Sequence, residues 1–106
     1  MSYLDKVQES IHKASIETSR MMSAKLRTEA VKSGWPKHIV RGMHVRYEDG
    51  EFTVHAHPEH KVDILNLEYG TPGNPPTAAI RRFGNRQREA EHFLVRSAYR
   101  HLKGHK

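Results

Sequence analysis

Ile39-Val40-Arg41-Gly42-Met43-His44-Val45-Arg46-Tyr47-Glu48-Asp49-Gly50-Glu51-Phe52-Thr53-Val54-His55-Ala56-His57-Pro58 reads as two short strands around a tight turn. Ile39, Met43, Val45 and Tyr47 alternate with Val40, Gly42, His44 and Arg46, and Phe52, Val54 and Ala56 alternate with Thr53, His55 and His57. Period-two alternation puts the first set of each strand on one face of a sheet. Glu48-Asp49-Gly50 lies between them, and Asp-Gly is the strongest short-range hairpin signal. Pro58 ends the second strand because it cannot donate to a ladder. Two strands alone are marginal in water, so the hairpin needs a helix or another strand to pack on.

Upstream, residues 2–33 read as one long helix. Leu4, Val7, Ile11 and Ala14 follow helical spacing, and Met22, Leu26 and Ala30 continue a related stripe. Ser2 with Asp5 resembles a capping box. Gly34 can close the helix and Pro36 prevents its resumption. Ser15, Thr18, Ser19 and Ser23 thin the stripe in its middle, so the helix needs a surface to lean on, and a neighbouring subunit would provide one. Trp35 reads as a core plug at the helix end, and Met21 and Met22 as gap-fillers.

Downstream, residues 61–69 fit either a short helix or a third strand, since Ile64, Leu65 and Leu67 suit both. Gly70-Thr71-Pro72-Gly73-Asn74-Pro75 is a loop. From Pro76, which is suited to a first helical position, Ala79, Ile80, Phe83, Gln87, Ala90, Leu94 and Ala98 recur at helical spacing to about Lys103. The expected class is therefore α+β: long N-terminal helix, central antiparallel hairpin, loop, and long C-terminal helix, in one domain spanning 1–106.

The chain has 106 residues, 36% hydrophobic and 28% charged, with no cysteine. That excludes disulfide and thiolate-metal frameworks and is wet enough that part of the chain is expected to order against partners. No apolar run approaches the roughly 18 residues of a membrane span, and Met1-Ser2-Tyr3-Leu4-Asp5-Lys6 does not read as a secretory signal. No membrane partner is expected, and the setting is cytoplasm-like. The net charge of +6 is unevenly placed. Residues 1–75 hold ten Lys/Arg and ten Asp/Glu, whereas 76–106 hold eight (Arg81, Arg82, Arg86, Arg88, Arg96, Arg100, Lys103, Lys106) against Glu89 and Glu91. The last helix thus has three readings: contact with a nucleic-acid backbone, ion pairing with an acidic surface of a neighbouring subunit, or a solvated face. The second is favoured, because no groove-reading motif accompanies the arginines.

Chemistry finds little support. His55-Ala56-His57-Pro58-Glu59-His60 mimics a His-x-His-x-Asp-His metal signature, but the hydrolase fold that uses it needs about twice this length. Strand alternation would also place His55 and His57 on the solvent face. There is no Gly-x-Ser-x-Gly elbow and no phosphate-cradling Gly-rich loop with its Lys. Glu48 and Asp49 read as turn formers. No catalytic residue, metal ligand or cofactor is assigned.

Leu65-Asn66-Leu67-Glu68-Tyr69-Gly70-Thr71-Pro72, followed by Pro75-Pro76-Thr77-Ala78-Ala79-Ile80-Arg81-Arg82-Phe83, resembles the minor tail-component or tail-completion family of long-tailed phages. The shared features are an apolar stretch, then Glu, an aromatic, Gly and Thr, and a proline-led approach to a terminal helix. The entry to the last helix departs from the family's Pro-Phe-Leu-Arg-Pro-like pattern, keeping Pro76, an aliphatic Ile80 and Arg81 at shifted spacing. The resemblance implies a non-enzymatic virion protein of the neck or tail, present in the host cytoplasm during assembly. It would form a homo-oligomeric ring, six- or twelve-fold, that joins head and tail. Its partners would be other neck, connector and tail proteins, with passive contact to DNA in the channel. Glu68, Tyr69, Gly70, Thr71, Arg81, Arg82 and Arg86 are the candidate interface residues. The rival reading is a small basic nucleic-acid-binding protein.

Overall fold

A backbone turn cannot start a helix without satisfying its first N–H groups, and the chain does this at once. In the computed structural model, which describes residues 2–104, Ser2 Oγ accepts from Asp5 N at 3.1 Å while Ser2 N donates to Asp5 Oδ2 at 3.4 Å. This reciprocal cap starts helix α1, Tyr3–Lys32. Gly34, at φ +83°, turns the chain out of the helix, and Trp35 N returns to Ala30 O at 3.0 Å.

Past Pro36 the chain forms a short helix, α2 (Lys37–Val40), where alternation predicted strand. Ile39 and Val40 are both buried. On a strand, adjacent side chains point to opposite faces, and only a helical turn brings both toward the same core. The hairpin proper is β1 (His44–Glu48) with β2 (Glu51–His55), antiparallel, with Val45 opposite Val54 and Tyr47 opposite Phe52. Asp49 and Gly50 both have positive φ, +50° and +80°, as a two-residue type I′ turn requires. The second strand stops at His55, so Ala56 and His57 lie beyond it. His57 Nδ1 accepts from Glu59 N and leads a 3₁₀ turn, Pro58–His60. Val45 is buried, and Phe52 and Val54 pack on the same core. Ser23 of α1 closes the free edge of β1, accepting from Val45 N at 2.8 Å.

Residues 61–69 form helix α3 (Lys61–Tyr69) rather than a third strand. Ile64, Leu67 and Glu68, spaced three and four apart, form its inward face. The single final helix expected from Pro76 is two: α4 (Ala79–Gly84) and α5 (Gln87–Lys103). Pro76 precedes both because Thr77 N and Ala78 N are bound to Leu67 O and Glu68 O, at 3.0 and 3.1 Å. Ala78 is left-handed at φ +53°. Gly84 and Asn85, poor helix formers, mark the break that lets α4 cross the end of α1 while α5 runs along it. Lys106 of the basic tail and His105 lie outside the described residues.

The buried residues of α1 include Ser10, Ala14, Thr18, Met22, Leu26 and Ala30, spaced four apart throughout. At 3.6 residues per turn such a row drifts about 40° per step, or about 200° along the series. One helix therefore meets different partners on different sides. Leu26 and Ala30 belong to a core with Trp35, Ile39, Met43 and Phe83. The N-terminal half meets α5 through small side chains, Ser10, Ala14 and Thr18 on one side and Ser97 on the other, while Ala90 packs farther along in the core with Leu26. The buried hydroxyls are satisfied: Ser10 Oγ donates to Lys6 O at 2.8 Å and Thr18 Oγ1 to Ala14 O at 2.7 Å. The two helices form an arm, and the molecule measures 59 × 23 × 20 Å with a radius of gyration of 16.5 Å. A compact chain of this size would have about 13 Å.

Candidate assembly surfaces

The Glu68–Phe83 region is an internal latch. Glu68 comes from α3 and is 3% exposed. Its carboxylate accepts from Ile80 N at 2.7 Å, Arg81 N at 2.9 Å and Arg81 Nε at 3.0 Å. Arg81 Nη2 also donates to Glu68 O at 2.7 Å. A buried carboxylate needs such charge-assisted partners, and here they tie α4 to α3. The Arg81 guanidinium then lies over the Tyr69 ring, 4.6 Å from its centroid, a cation–π contact. Gly70 has φ +84°, and a Cβ there would meet Pro76 N at 2.8 Å and Asn74 O at 2.9 Å. Thr71 and Asn74 exchange backbone bonds at 3.0 and 2.9 Å. Trp35 Nε1 donates to Thr77 Oγ1 at 2.7 Å, fastening the loop to the end of α1. The sequence-predicted residues Glu68, Tyr69, Gly70, Thr71 and Arg81 are thus brought together, and their contacts are within the chain.

Arg82 and Arg86 sit elsewhere. Arg82 Nε donates to Glu29 Oε1 of α1 at 2.8 Å, with further bonds to Thr77 O and Ser33 Oγ. Arg86 lies 3.8 Å from Glu89, which also pairs with Lys25. Farther along α5, Glu17 accepts from Ser97 Oγ at 2.6 Å and Arg100 Nη2 at 3.2 Å, and its Oε1 lies 2.6 Å from His101 Nε2. α1 therefore supplies two acidic partners of the basic last segment, Glu29 and Glu17, while α3 supplies Glu68 and α5 its own Glu89. The Ser97 and His101 hydrogen bonds, with Arg100 beside them, hold the Glu17 carboxyl below its usual range. Arg82 does the same for Glu29, and Lys25 for Glu89. Sequence reasoning missed Glu17 and Glu29 as partners. They lie 53 to 84 positions from the groups they bind, and no local pattern signals such a pairing.

The histidines meet in ring contacts: His60 lies against His38 and His57, with centroids 5.4 and 5.8 Å apart. His44 and His55 stack across the hairpin with ring centroids 5.6 Å apart, and His55 Nε2 lies 2.7 Å from Glu48. His57 is exposed, while His55 is half-buried. Among the described residues no three His, Asp or Glu side chains converge as a metal site. No described helix is long and apolar enough to cross a membrane.

Two apolar surfaces are left without cover among the described residues. At the arm tip, Tyr3, Leu4 and Ile11 of α1 are 73%, 64% and 41% exposed, beside Val95 and Tyr99 of α5 at 67% and 61%. Val7, Val95, Ala98 and Leu102 line a cleft of about 260 Å³ there. Toward the other end of α1, α3 exposes Val62 and Leu65. Leu65 borders a groove of about 540 Å³ whose walls include Val54, Ala56, Ile64 and Ile80. No protein-family model, curated protein or solved structure matches the chain.

Proposed function

We infer that this chain is a structural subunit, without a catalytic step, of a ring in the neck or tail of a tailed phage. The observation that carries the reading is the pair of separate apolar surfaces, one at the arm tip and one beside α3. A closed ring is a heterologous assembly, so each subunit needs two different, mutually complementary patches. A helical tip bearing Leu4, Ile11, Val95 and Tyr99 suits a groove lined by Val54, Ala56, Leu65 and Ile80. The rigid latch from Glu68 to Arg81 supports the same reading, since it sets the angle between α3 and the α1–α4 body and hence between the two patches. The resemblance of that segment to tail-completion proteins supplies the phage setting. It also supplies the six- or twelve-fold symmetry and the neck, connector and tail proteins as partners.

The test is copy number. Light scattering of the purified chain is paired with quantification of the protein in purified phage particles. A small fixed number of copies per particle is the expected result. Absence from particles would overturn the assignment.

A further inference from the structure

The last segment is the basic part of the sequence, but four of its arginines are neutralised within the fold, and a second group of unpaired cations lies elsewhere. Arg81, Arg82, Arg86 and Arg100 each face a carboxylate within the molecule. Along the other side of α1, between that helix and β1, runs an open groove of about 600 Å³. Arg20 and Arg27 of α1 and Arg46 of β1 line it, together with His12, His44 and Tyr47. Its one acidic residue, Glu48, lies 2.7 Å from His55 Nε2. Arg20 and Arg46 are exposed and have no ion-pair partner among the described residues. Arg27 is anchored through Nε to Met43 O at 3.0 Å, with its terminal nitrogens unpaired among the described residues.

We propose that this α1–β1 groove binds the phosphodiester backbone of a single nucleic-acid strand. Three guanidiniums in a concavity, opposed by one carboxylate, concentrate positive potential where phosphates can enter. Arg20 and Arg27 stand about 10 Å apart along α1 at 1.5 Å per residue, a span that accommodates more than one phosphate. Ser19, next to Arg20, lines the groove with a hydroxyl that no described group engages, and Arg with Ser is a common phosphate-contacting pair. The ring of Tyr47 offers a surface for a base, which is what separates a single-strand groove from a site for acidic protein. The groove lies wholly within one chain, so the inference does not depend on ring formation.

The experiment is fluorescence anisotropy of a labelled thymidine oligonucleotide titrated with the full chain at several salt concentrations. Three phosphate contacts on a single strand predict a log–log salt slope of about −2. The double variant R20E/R46E is expected to weaken binding at least about tenfold with an unchanged melting curve, because neither side chain has an internal partner. R20Q/R46Q serves if charge reversal perturbs folding. R88E/R96E on α5, both exposed, is expected to leave affinity within about twofold, since these arginines lie outside the groove. Polyglutamate is expected not to compete, and a duplex of the same length to bind more weakly than the strand. Absence of salt-dependent binding would overturn the proposal, as would loss of binding in R88E/R96E but not in R20E/R46E. Competition by polyglutamate, or equal affinity for duplex, would overturn the single-strand assignment. Because binding is read on the chain in solution and ring formation on particles, the two ideas fail separately.

Discussion

Glu68 joins α3 to α4 through its carboxylate. It is the buried acid of the molecule, and its four contacts to Ile80 and Arg81 are all within the chain. Replacing it with Ala removes the acceptor of two backbone N–H groups, Ile80 and Arg81, and of Arg81 Nε, while Arg81 Nη2 keeps the Glu68 carbonyl. Glu68→Ala is expected to lower unfolding free energy by about 2–4 kcal/mol in urea titration. Glu68→Gln keeps one oxygen acceptor and should lose about half of that. Gly70 is constrained by both conformation and space: its φ is +84° and backbone atoms stand below 3.0 Å from the position of a Cβ. Gly70→Ala should therefore cost about 2 kcal/mol, read as a fall in melting temperature. An equal stability of wild type and variant would mean the loop relaxes freely.

At the level of elements, the pairing of α1 with α5 depends on small side chains. Ala14 is fully buried in that seam, so Ala14→Leu should force the helices apart and destabilise by about 1–3 kcal/mol. The same helices are stitched by carboxylates with lowered pKa: Glu17 to Ser97, His101 and Arg100, and Glu89 to Lys25. Glu29 holds α4 in the same way through Arg82. A carboxyl whose folded pKa lies below its unfolded one binds fewer protons when folded. Its stabilisation is fully present above the unfolded value and is lost as pH falls through the folded value. The melting temperature should be level from pH 7 to about 5 and fall below about pH 4.3, the unperturbed Glu range. Glu17→Gln should shallow that fall while leaving its midpoint position similar. Glu17 and Glu89 are 38% and 44% exposed and Glu29 20%, so added salt should weaken the effect, most at Glu17 and Glu89.

For the whole molecule, the length of 59 Å and the two apolar surfaces make a directional assembly testable without knowing its symmetry. Leu4→Lys at the tip and Leu65→Lys beside α3 each remove one patch and leave the other. Both positions are exposed, so neither variant should lose much stability. Each variant alone is expected to be monomeric by light scattering, and an equimolar mixture should form heterodimers, since each supplies the patch the other lacks. Assembly of either variant alone would show that the patches are not complementary halves of one contact.

Much of the architecture followed from local pattern. The capping box at Ser2 and Asp5, the exit at Gly34, and the Asp49-Gly50 turn are short-range devices whose backbone geometry their own residues dictate. Alternation located the strands from His44 to His55, and Ala14, Met22, Leu26 and Ala30 of the stripe expected on α1 are buried, whereas Leu4 and Ile11 are exposed and Ser10 and Thr18 take inward positions instead. What depended on distant contacts was not visible. Ile39 and Val40 alternate like strand residues but coil because one core takes both. The chain from Pro76 looked ready for a helix and was held off until Ala79 by the carbonyls of Leu67 and Glu68. Residues 61–69 had no local arbiter between helix and strand. The charge map changed for the same reason. Counted along the sequence, the last segment is basic and the first is balanced. Folding brings Glu17 and Glu29 to the last segment's arginines and leaves Arg20, Arg27 and Arg46 facing an open groove. Backbone conformation at a cap or turn is set over a few residues, so the sequence by itself determined it. Ion pairing and burial are set by which segments meet, and only the tertiary structure decided those.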